Sequence, residues 1–355
     1  MNIIHLVSNK VWGGGEQYVL DLSEELAAKG NKVSIVARNI PAVTQRFVEA
    51  SLPVVTMPLK GVLDIISPFK LASMVRNMPE AIIHVHNFKD ASTAIRAHHI
   101  SGNKNLRIVL TRHLVKSAKK SSIYKKIDAM IFVSQLALDK FLSSSPNVGN
   151  SKISVVHNSI KLPPFATADA TPDDSVRIMF HGRLSPEKGI EILIKAFAKL
   201  NNEKARLIIA GSGEAEYTNS LKKLAAENGV ANRIEWTGHI KNIHPLIEKA
   251  DIGVCPSMVP ESFGLAVIEY MAHGKPVITT NNGAQREYIT PNVDGILVPP
   301  AAVEETANAI ERLLNKEERE RIGKAAKTTF DNKLAYPVFY NAIYNIYESL
   351  FEKKF

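Results

Sequence analysis

The stretch "ADIGVCPSMVPESFGLAVIEYMAHGKPVITTN", residues 250–281, contains one strand–loop–helix–strand unit. The β-rich run "ADIGVCP" is followed by a loop with prolines, a helical pattern predicted from about Gly264 to His273, and a second β-rich run, "KPVITTN". Gly274 marks the expected end of the helix. A unit of this kind predicts parallel strands joined by helices. It also places Glu261 in the predicted loop and Glu269 in the predicted helix, two carboxylates within a largely apolar stretch.

The same alternation of β-rich runs and helical patterns extends along nearly the whole chain. A chain of 355 residues exceeds the size at which one hydrophobic core keeps growing, so two domains are expected. The sequence therefore predicts an α/β protein with two doubly wound, Rossmann-like parallel sheets. The remaining predicted strands are "NIIHLVS", "NKVSIVA", "LPVVTM", "AIIHVH", "LRIVLT", "DAMIFVS" and "KISVVHN" in the first half, and "VRIMFHG", "ARLIIAG", "RIEWTG" and "GILVPP" in the second.

A linker separates the two sets of strands. The segment "KLPPFATADATPDDS", residues 161–175, contains three prolines and no apolar period. We therefore expect an N-terminal domain over residues 1–162 and a C-terminal domain over residues 163–333. The last segment, 334–355, is expected to pack back on the first domain, although packing within the second domain explains its pattern equally well. Its apolar stripe at helical spacing consists of Tyr336, Phe339, Tyr340, Ile343, Tyr344 and Tyr347.

Composition and charge bound the class of protein. Hydrophobic residues make up 45% of the chain and charged residues 22%, as in folded globular proteins. The lone Cys255 favours a reducing cytoplasm as the location of the protein. No apolar run reaches the length of a membrane-spanning helix. The N-terminus is expected to be a strand rather than a signal peptide.

The net charge is +9, and the segment 91–127 contains no Asp or Glu. Its cations are Arg96, Lys104, Arg107, Arg112, Lys116, Lys119, Lys120, Lys125 and Lys126.

This basic segment, residues 96–126, suggests contact with something anionic. Phospholipid headgroups, a polyphosphate and nucleic acid are all compatible with it, and so is an ordinary solvated face. An anionic membrane surface would attach the protein peripherally to the inner face of the cell membrane.

Three loops that follow predicted strands carry unusual residues. The first, "SNKVWGGGEQ", contains Gly13 and Gly14, which let the backbone approach a ligand closely, with a helix start able to bind an anion. A tight strand–helix turn would use the same glycines. The second, "FHGRLSPEKG", places Arg183 and Lys188 beside a helix start, where two cations would neutralise a diphosphate. The alternative is a pair of surface cations.

The third loop is the carboxylate stretch itself. Eight helical positions span at most about 12 Å, so Glu261 and Glu269 suit the two ends of an extended ligand better than acid–base work on one bond. Between them, the N–H groups of Phe263, Gly264 and Leu265 head the helix and suit a phosphate. The carboxylates would bind hydroxyls and the cations would bind a diphosphate, and both sets are expected at one edge of one sheet. Together they predict a sugar-nucleotide pocket.

Several motifs resemble one enzyme family. "HGRLSPEKGIEILIKAF", "AGSGE", "WTGHI", "PSMVPESFGLAVIEYMAHGKPVITT" and "DGILVPP" in the second half, with "GGGEQYVLDLSEELAAKG" and "VLTRH" in the first, are similar to the retaining glycosyltransferases of carbohydrate-enzyme family four. That resemblance implies the GT-B fold, in which two Rossmann-like domains face each other across a cleft.

The resemblance also implies residue roles. Arg183 and Lys188 would hold the donor diphosphate and stabilise its developing charge. Glu261 would bind hydroxyls of the transferred sugar, and Glu269 those of the ribose. His113 in "LTRH" would contact the sugar from the opposite wall. The implied catalytic residues are Glu261, His113, Arg183 and Lys188, and the implied donor-binding residues are Gly13, Gly14, Arg183, Lys188, Gly238, Ile240, Glu261, Phe263, Gly264, Leu265 and Glu269.

No cofactor or metal ion is expected. The metal-binding Asp-x-Asp pattern does not occur in the sequence. His84 and His86 fall on one face of a strand, but no third ligand lies within reach in the sequence. Two departures from the family pattern, "NSIK" at residues 158–161 and Gly283-Ala284, alter turns and leave the carboxylates and cations intact.

The resemblance thus implies a retaining, metal-independent hexosyltransferase, which we expect to act in envelope or polysaccharide synthesis. It would move a hexose from a nucleotide-diphosphate sugar, with UDP preferred over GDP and ADP, to a glycan or lipid-linked acceptor, and a soluble small acceptor stays open. A GT-B sugar-nucleotide epimerase and a non-catalytic sugar-nucleotide-binding protein are the alternatives. A nucleic-acid binder leaves both glutamates unexplained, so no nucleic-acid partner is expected.

Overall fold

The chain folds into two compact units. The computed structural model describes residues 1–163 and 175–352, so most of the predicted linker, 161–175, lies outside the described residues. The first unit comprises Met1–Asn158 together with Tyr336–Phe355, and the second comprises Ser159–Ala335. The C-terminal aromatic stripe therefore lies with the first unit.

The first unit is built on a seven-stranded parallel sheet with the order β3-β2-β1-β4-β5-β6-β7. The central strands are short runs of mostly buried apolar residues, which is the pattern of a sheet covered on both faces, whereas the edge strands β3 and β7 are partly exposed. The strands are β1 (Asn2–Val7), β2 (Lys32–Ala37), β3 (Val54–Thr56), β4 (Ala81–Val85), β5 (Leu106–Arg112), β6 (Ala129–Phe132) and β7 (Lys152–Val155).

Helices cover both faces of this sheet, because successive side chains along a strand point to opposite faces. Ile3 belongs to one core cluster and Ile4 to the other. The helices are α1 (Gly14–Ala28), α2 (Pro41–Glu49), α3 (Ile66–Val75), α4 (Phe88–Ser101), α5 (Gln135–Leu142) and the C-terminal helix (Tyr336–Glu348), with 3-10 turns at Gly61–Leu63 and Ser122–Lys126. The face that carries Ile3 is covered by α1, α2 and the C-terminal helix, and the face that carries Ile4 is covered by α3, α4 and α5.

The second unit is built on a six-stranded parallel sheet with the order β10-β9-β8-β11-β12-β13. Its strands are β8 (Arg177–His181), β9 (Arg206–Ala210), β10 (Ile234–Gly238), β11 (Ile252–Cys255), β12 (Val277–Thr280) and β13 (Ile296–Val298). Its helices are α6 (Ile190–Ala198), α7 (Ala215–Glu227), α8 (His244–Lys249), α9 (Leu265–Ala272), α10 (Val303–Leu314) and α11 (Lys316–Thr329), the last continuing into a π-helical turn, Phe330–Leu334.

One close contact fixes how α9 lies on the second sheet. A Cβ added to Gly253 in β11 would lie 2.3 Å from ring atoms of Tyr270, so only glycine leaves room for that ring. The Tyr270 hydroxyl donates to the backbone oxygen of Met179 in β8. This anchoring fixes α9, and with it Glu269, against the middle of the sheet.

The predicted parallel, doubly wound sheets are confirmed, and each of the thirteen β-rich runs contains one of the observed strands. In both sheets the strand order changes direction beside the first strand, between β1 and β4 and between β8 and β11. Loops at the carboxyl ends of strands diverge at such a point and leave a crevice for ligands. None of the helices in the described residues is long and apolar enough to cross a membrane.

Candidate active site

The loops that follow β8 and β11 meet at the point where the second sheet changes direction. The Met258 amide donates to the backbone oxygen of Glu187 at 2.8 Å. Gly189 has a φ of +69°, and a Cβ there would lie 2.1 Å from the backbone oxygen of Pro256. Glycine at position 189 is therefore required both by its backbone conformation and by the contact. The two loops are held together, and they carry Lys188 and Glu261.

Lys188 and Glu261 form an ion pair. The Nζ atom of Lys188 lies 2.5 Å from Oε1 of Glu261, and the Ser257 hydroxyl donates to the same oxygen at 2.6 Å. The two side chains are 26% and 22% exposed, so the pair is only partly screened by water. The Ala284 amide donates to the backbone oxygen of Glu261, which fixes the loop from its other side. The structure thus brings one predicted cation and one predicted carboxylate into direct contact.

Glu269 lies in α9, as predicted, and faces His181 at the end of β8. Oε2 of Glu269 is 3.1 Å from Nε2 of His181, at angles outside those of a hydrogen bond. Burial raises the pKa of Glu269 to about 8. Burial, followed by the charges of His244 and Lys188, lowers the pKa of His181 to about 3. Near neutral pH this site therefore contains a protonated carboxyl group, which can donate a hydrogen bond, beside a neutral imidazole.

Arg183 is arranged differently from Lys188. Its Nη2 atom lies 3.0 Å from Oε1 of Glu187, and its side chain is 70% exposed. The two predicted cations are therefore not paired with the same carboxylate. A surface ion pair of this kind contributes little to stability, so Arg183 is readily available to an anionic ligand.

A cavity of about 1010 Å³ lies at the carboxyl ends of β8, β9 and β10. The loops after β8 and β9 pack closely beside it, since a Cβ on Gly211 or Gly213 would lie about 2 Å from a backbone oxygen of Gly182 or Leu184. The volume suits a nucleotide-sized ligand. The residues that line it are 181–187, 210–214, Tyr217, His239, Ile240, Lys241, Ile243 and Glu269.

The remaining predicted donor-binding residues surround this cavity or support α9. Gly238 ends β10 with a φ of +69° and accepts a hydrogen bond from the Gly211 amide. Gly264 has a φ of +91° and is the N-cap of α9, which begins at Leu265. The Phe263 ring is buried and packs on Tyr288, whose hydroxyl donates to the Phe263 backbone oxygen. The side chain of Phe263 therefore anchors the loop from inside.

The first unit has a cavity of its own, of about 340 Å³, beside the point where its sheet changes direction. Gly13, Gly14 and His113 all line it, together with Lys116 and Lys119 from the basic segment. Gly13 is the N-cap of α1, as the glycine loop predicted, and His113 directly follows β5. The sequence-predicted residues of the first domain are thus brought together at one edge of one sheet.

His113 belongs to a chain of histidines, of which His5 and His84 are buried and His86 and His113 half-buried. Its Nε2 atom lies 3.2 Å from Nδ1 of His86, and Nε2 of His86 lies 3.0 Å from Nδ1 of His5. His84 lies alongside, with its ring nitrogens 2.6 Å from the Tyr347 hydroxyl and 2.7 Å from the Thr111 hydroxyl. Burial lowers the pKa of His113 to about 4 and that of His5 to about 3, so both rings are neutral near pH 7.

His5 is a neighbour of this group that was not predicted. The ring nitrogens of His5, His84 and His86 lie within 4.8 Å of one another, which supplies the third metal-ligand candidate that the sequence spacing did not. Both nitrogens of His84 and both of His86 already lie at hydrogen-bonding distance from other side chains. A metal ion here would have to displace those contacts. The signal available in the sequence was the position of His5 within the first strand, which pairs with His84 across β1 and β4.

The basic segment is divided between two places. Lys116 and Lys119 line the cavity at the carboxyl end of β5. Lys104, Lys125 and Lys126 line a second groove, of about 990 Å³, at the amino ends of β5 and β6. Seven of the nine cations, Arg107 and Arg112 among them, are thus divided between two cavities.

Two family models match the chain. The model of glycosyltransferase family 4 matches residues 12–162, and that of the group 1 glycosyl transferases matches residues 166–329. A glycosyltransferase of Methanocaldococcus jannaschii is 28% identical over 301 residues, which cover 76% of each chain. A D-inositol 3-phosphate glycosyltransferase of Kribbella flavida is 25% identical over an alignment of 372 residues, covering 88% of this chain and 85% of the relative.

Solved structures share the fold. A glycosyltransferase of Rickettsia africae superposes with a TM-score of 0.87 at 22% identity, covering 99% of both chains. HepE of Anabaena, in complex with UDP-glucose, superposes with a TM-score of 0.81 at 22% identity, covering 98% of this chain and 100% of the other. With the two parallel sheets and the matched motifs, these similarities establish that the chain belongs to the family-four glycosyltransferases and has the GT-B fold.

Proposed function

We propose that the protein is a retaining, metal-independent hexosyltransferase that uses a UDP-sugar. The observation that carries the proposal is the arrangement of Lys188, Glu261 and Glu269 around the crevice where the second sheet changes direction. Crevices of this kind bind nucleotides in doubly wound sheets. The adjoining cavity is large enough for the base and ribose.

The donor diphosphate is assigned to Arg183 and Lys188. Each cation contacts a carboxylate, Glu187 for Arg183 and Glu261 for Lys188. An incoming diphosphate supplies a stronger negative partner, since charge-assisted hydrogen bonds to phosphate oxygens are short and strong. When the bond between the anomeric carbon and the phosphate oxygen breaks, these cations stabilise the charge that develops on the leaving diphosphate.

The sugar and ribose hydroxyls are assigned to Glu261 and Glu269. Glu261 is oriented by Lys188 and Ser257 and accepts from sugar hydroxyls. Glu269, protonated because burial raises its pKa, offers the ribose a donor as well as an acceptor oxygen. Ile240 lines the side of the cavity assigned to the base, and Gly238 ends the strand that leads to it.

The transfer proceeds with retention of anomeric configuration. The departing diphosphate oxygen takes the proton of the acceptor hydroxyl as that hydroxyl oxygen bonds to the anomeric carbon on the same face. No protein general base is assigned. In the first unit, the cavity lined by Gly13, Gly14 and His113 is assigned to the substrates, and the neutral His113 imidazole hydrogen-bonds a sugar hydroxyl.

UDP is preferred because several structures with the same fold, among them HepE of Anabaena and TarM of Staphylococcus aureus, contain UDP. A glycan or lipid-linked acceptor is proposed because the cavity of the first unit carries Lys116 and Lys119, which suit an acceptor with a phosphate group. We place this chemistry in envelope or polysaccharide synthesis, in the cytoplasm and at the inner face of the cell membrane.

The first test is calorimetric titration with UDP, GDP, ADP and their sugar conjugates, with a chelator present. Selective binding of UDP is expected, with affinity reduced at least tenfold by Arg183→Ala and by Glu269→Ala. Lys199→Ala is the matched control, because Lys199 pairs with Glu304 at 2.6 Å at the far end of α6. The absence of binding to any nucleotide would refute the donor site. NMR of the anomeric carbon in the product then distinguishes retention from inversion.

An epimerase of the same fold is the second candidate. It would convert the UDP-sugar into another UDP-sugar without an acceptor. Incubation of the protein with UDP-sugars alone, followed by separation of the sugar nucleotides, distinguishes the two activities. A non-catalytic binding protein would bind UDP-sugars and release no UDP with any acceptor.

A further inference from the structure

The connection between β3 and α3, together with the first turn of α3, presents an apolar ridge to solvent. Five large hydrophobic side chains within eight positions are mostly exposed, whereas the other exposed large hydrophobics among the described residues are single or, at 258–259, a pair. Exposed apolar surface concentrated in this way marks an interaction site. The ridge consists of Val62 (74% exposed), Leu63 (88%), Ile65 (71%), Ile66 (55%) and Phe69 (59%).

The ridge is held in this outward conformation by its own polar groups. The buried Asp64 carboxylate accepts hydrogen bonds from the Lys60 amide at 2.8 Å and from the Ser67 amide and hydroxyl at 2.9 and 2.6 Å. Arg96 in α4 donates to the Gly61 backbone oxygen at 2.8 Å. These bonds fix the backbone on both sides of the apolar side chains, so their exposure is a property of the fold.

The charges around the ridge are positive. Lys60 and Lys70 flank it in sequence, and both are exposed. Lys89 in α4 adjoins the start of the ridge, since a Cβ placed on Gly61 would lie 3.7 Å from the β-carbon of Lys89. Asp64 is the only acidic residue between positions 50 and 79, and its carboxylate is buried. Two copies of the ridge placed face to face would bring lysines against lysines, which disfavours self-association through this surface.

We propose that the apolar ridge inserts into the interface of an anionic lipid bilayer, with Lys60, Lys70 and Lys89 binding its headgroups. Apolar side chains that enter the acyl boundary and cations that remain at headgroup level are the two components of interfacial binding. The proposal rests on the proposed function with a lipid-linked acceptor, and it names the element that would bring the enzyme to that acceptor.

The ridge lies next to the cavity of the first unit. Phe88, the first residue of α4, lines that cavity, and its neighbour Lys89 adjoins Gly61. Lys119, which also lines the cavity, has its Nζ atom 5.7 Å from the centre of the Phe88 ring. A lipid-linked acceptor in the bilayer would therefore present its headgroup close to the cavity that contains His113.

The test is sedimentation of the full chain with vesicles of phosphatidylglycerol and phosphatidylcholine. The wild type is expected to bind these vesicles and to lose binding without the anionic lipid. The double variant Leu63→Asp/Phe69→Asp is expected to bind at least tenfold more weakly. Val48→Asp/Val338→Asp is the matched control, since both valines are exposed on helices of the opposite face of the sheet, and it is expected to stay within twofold of the wild type.

Calorimetric titration with UDP separates this proposal from the proposed function. All variants are expected to bind UDP equally, because the ridge lies outside the second unit. Equal vesicle binding by the ridge variant and the wild type would overturn the proposal whatever the result with UDP. So would a wild type that ignores vesicles and instead forms dimers, seen by light scattering, that the ridge variant cannot form.

Discussion

Lys188 and Glu261 form an ion pair between loops that follow different strands, with Nζ and Oε1 2.5 Å apart. A donor diphosphate must compete with Glu261 for Lys188, and the sugar must compete with Lys188 for Glu261. The strength of this ion pair therefore affects how much the nucleotide and the sugar each contribute to donor affinity.

Glu261→Gln is expected to separate the two contributions. The substitution removes a negative charge beside Lys188, so free UDP is expected to bind as tightly as to the wild type or several-fold more tightly. The UDP-sugar is expected to lose its advantage over UDP, by roughly tenfold, because the hydrogen bonds that a charged acceptor makes are weakened. Calorimetry with both ligands measures the ratio. Glu304→Gln, whose carboxylate pairs with Lys199, is the control, and a Glu261→Gln variant that weakens both ligands equally would contradict the assignment.

The raised pKa of Glu269 makes stability depend on pH. The folded state keeps its proton up to about pH 8, whereas the unfolded state loses it near 4.5. The folded state thus binds more protons in that window, and its free energy of unfolding falls as pH rises from about 4.5 to 8. In urea unfolding at several pH values, the Glu269→Gln variant is expected to lack this decline. Its slope of unfolding free energy against pH is expected to differ from that of the wild type by up to about 1 kcal/mol per pH unit. An identical pH profile in the variant would show that Glu269 is ionised in the fold.

The lowered pKa values of His5 and His113 make stability depend on pH in the opposite direction. Burial lowers the pKa of His5 and His113 to between about 3 and 4, while the unfolded values are near 6.5. The unfolded state therefore binds more protons below pH 6.5, and stability falls as pH drops from 6.5 towards 4. Thermal unfolding followed by circular dichroism is expected to show a lower Tm at pH 5 than at pH 7. His113→Gln is expected to reduce this difference, and the exposed His239, which lies outside the network, provides His239→Gln as a control.

Gly253→Ala is expected to destabilise the second unit by roughly 1–3 kcal/mol or more, because the added methyl group overlaps the Tyr270 ring. Urea unfolding measures the change. Gly15→Ala is the control, since nothing lies within 4 Å of its Cβ and alanine favours the helix. Because Tyr270 anchors α9, we also expect weaker UDP binding by Gly253→Ala even at temperatures where it stays folded.

The strands were predictable because each is a short β-rich run bounded by glycine, proline or polar residues, and most are buried, with β3, β7 and β10 partly exposed. The loop position of Glu261 and the helical position of Glu269 followed from Pro256, Pro260 and Gly264, which interrupt the chain after β11. Local sequence was sufficient here, since these features depend on neighbours in the chain.

Pairings between distant segments were not predictable in the same way. His5 lies opposite His84 because β1 pairs with β4 in one particular register, and the sequence does not state that register. His181 faces Glu269 because α9 is pinned by the contact between Tyr270 and Gly253. The apolar ridge was overlooked for a related reason, since only the fold shows that its side chains are left uncovered.

The C-terminal helix has a consequence for synthesis of the protein. Tyr347 closes the hydrogen-bond network of His84, and the Tyr336 hydroxyl donates to the backbone of Asp21, so the first unit includes residues made after the entire second unit. A nascent chain on the ribosome cannot complete its N-terminal half until translation is nearly finished. Until then, the apolar surface of α1 that this helix covers stays open, and the unfinished half is a natural client for chaperones.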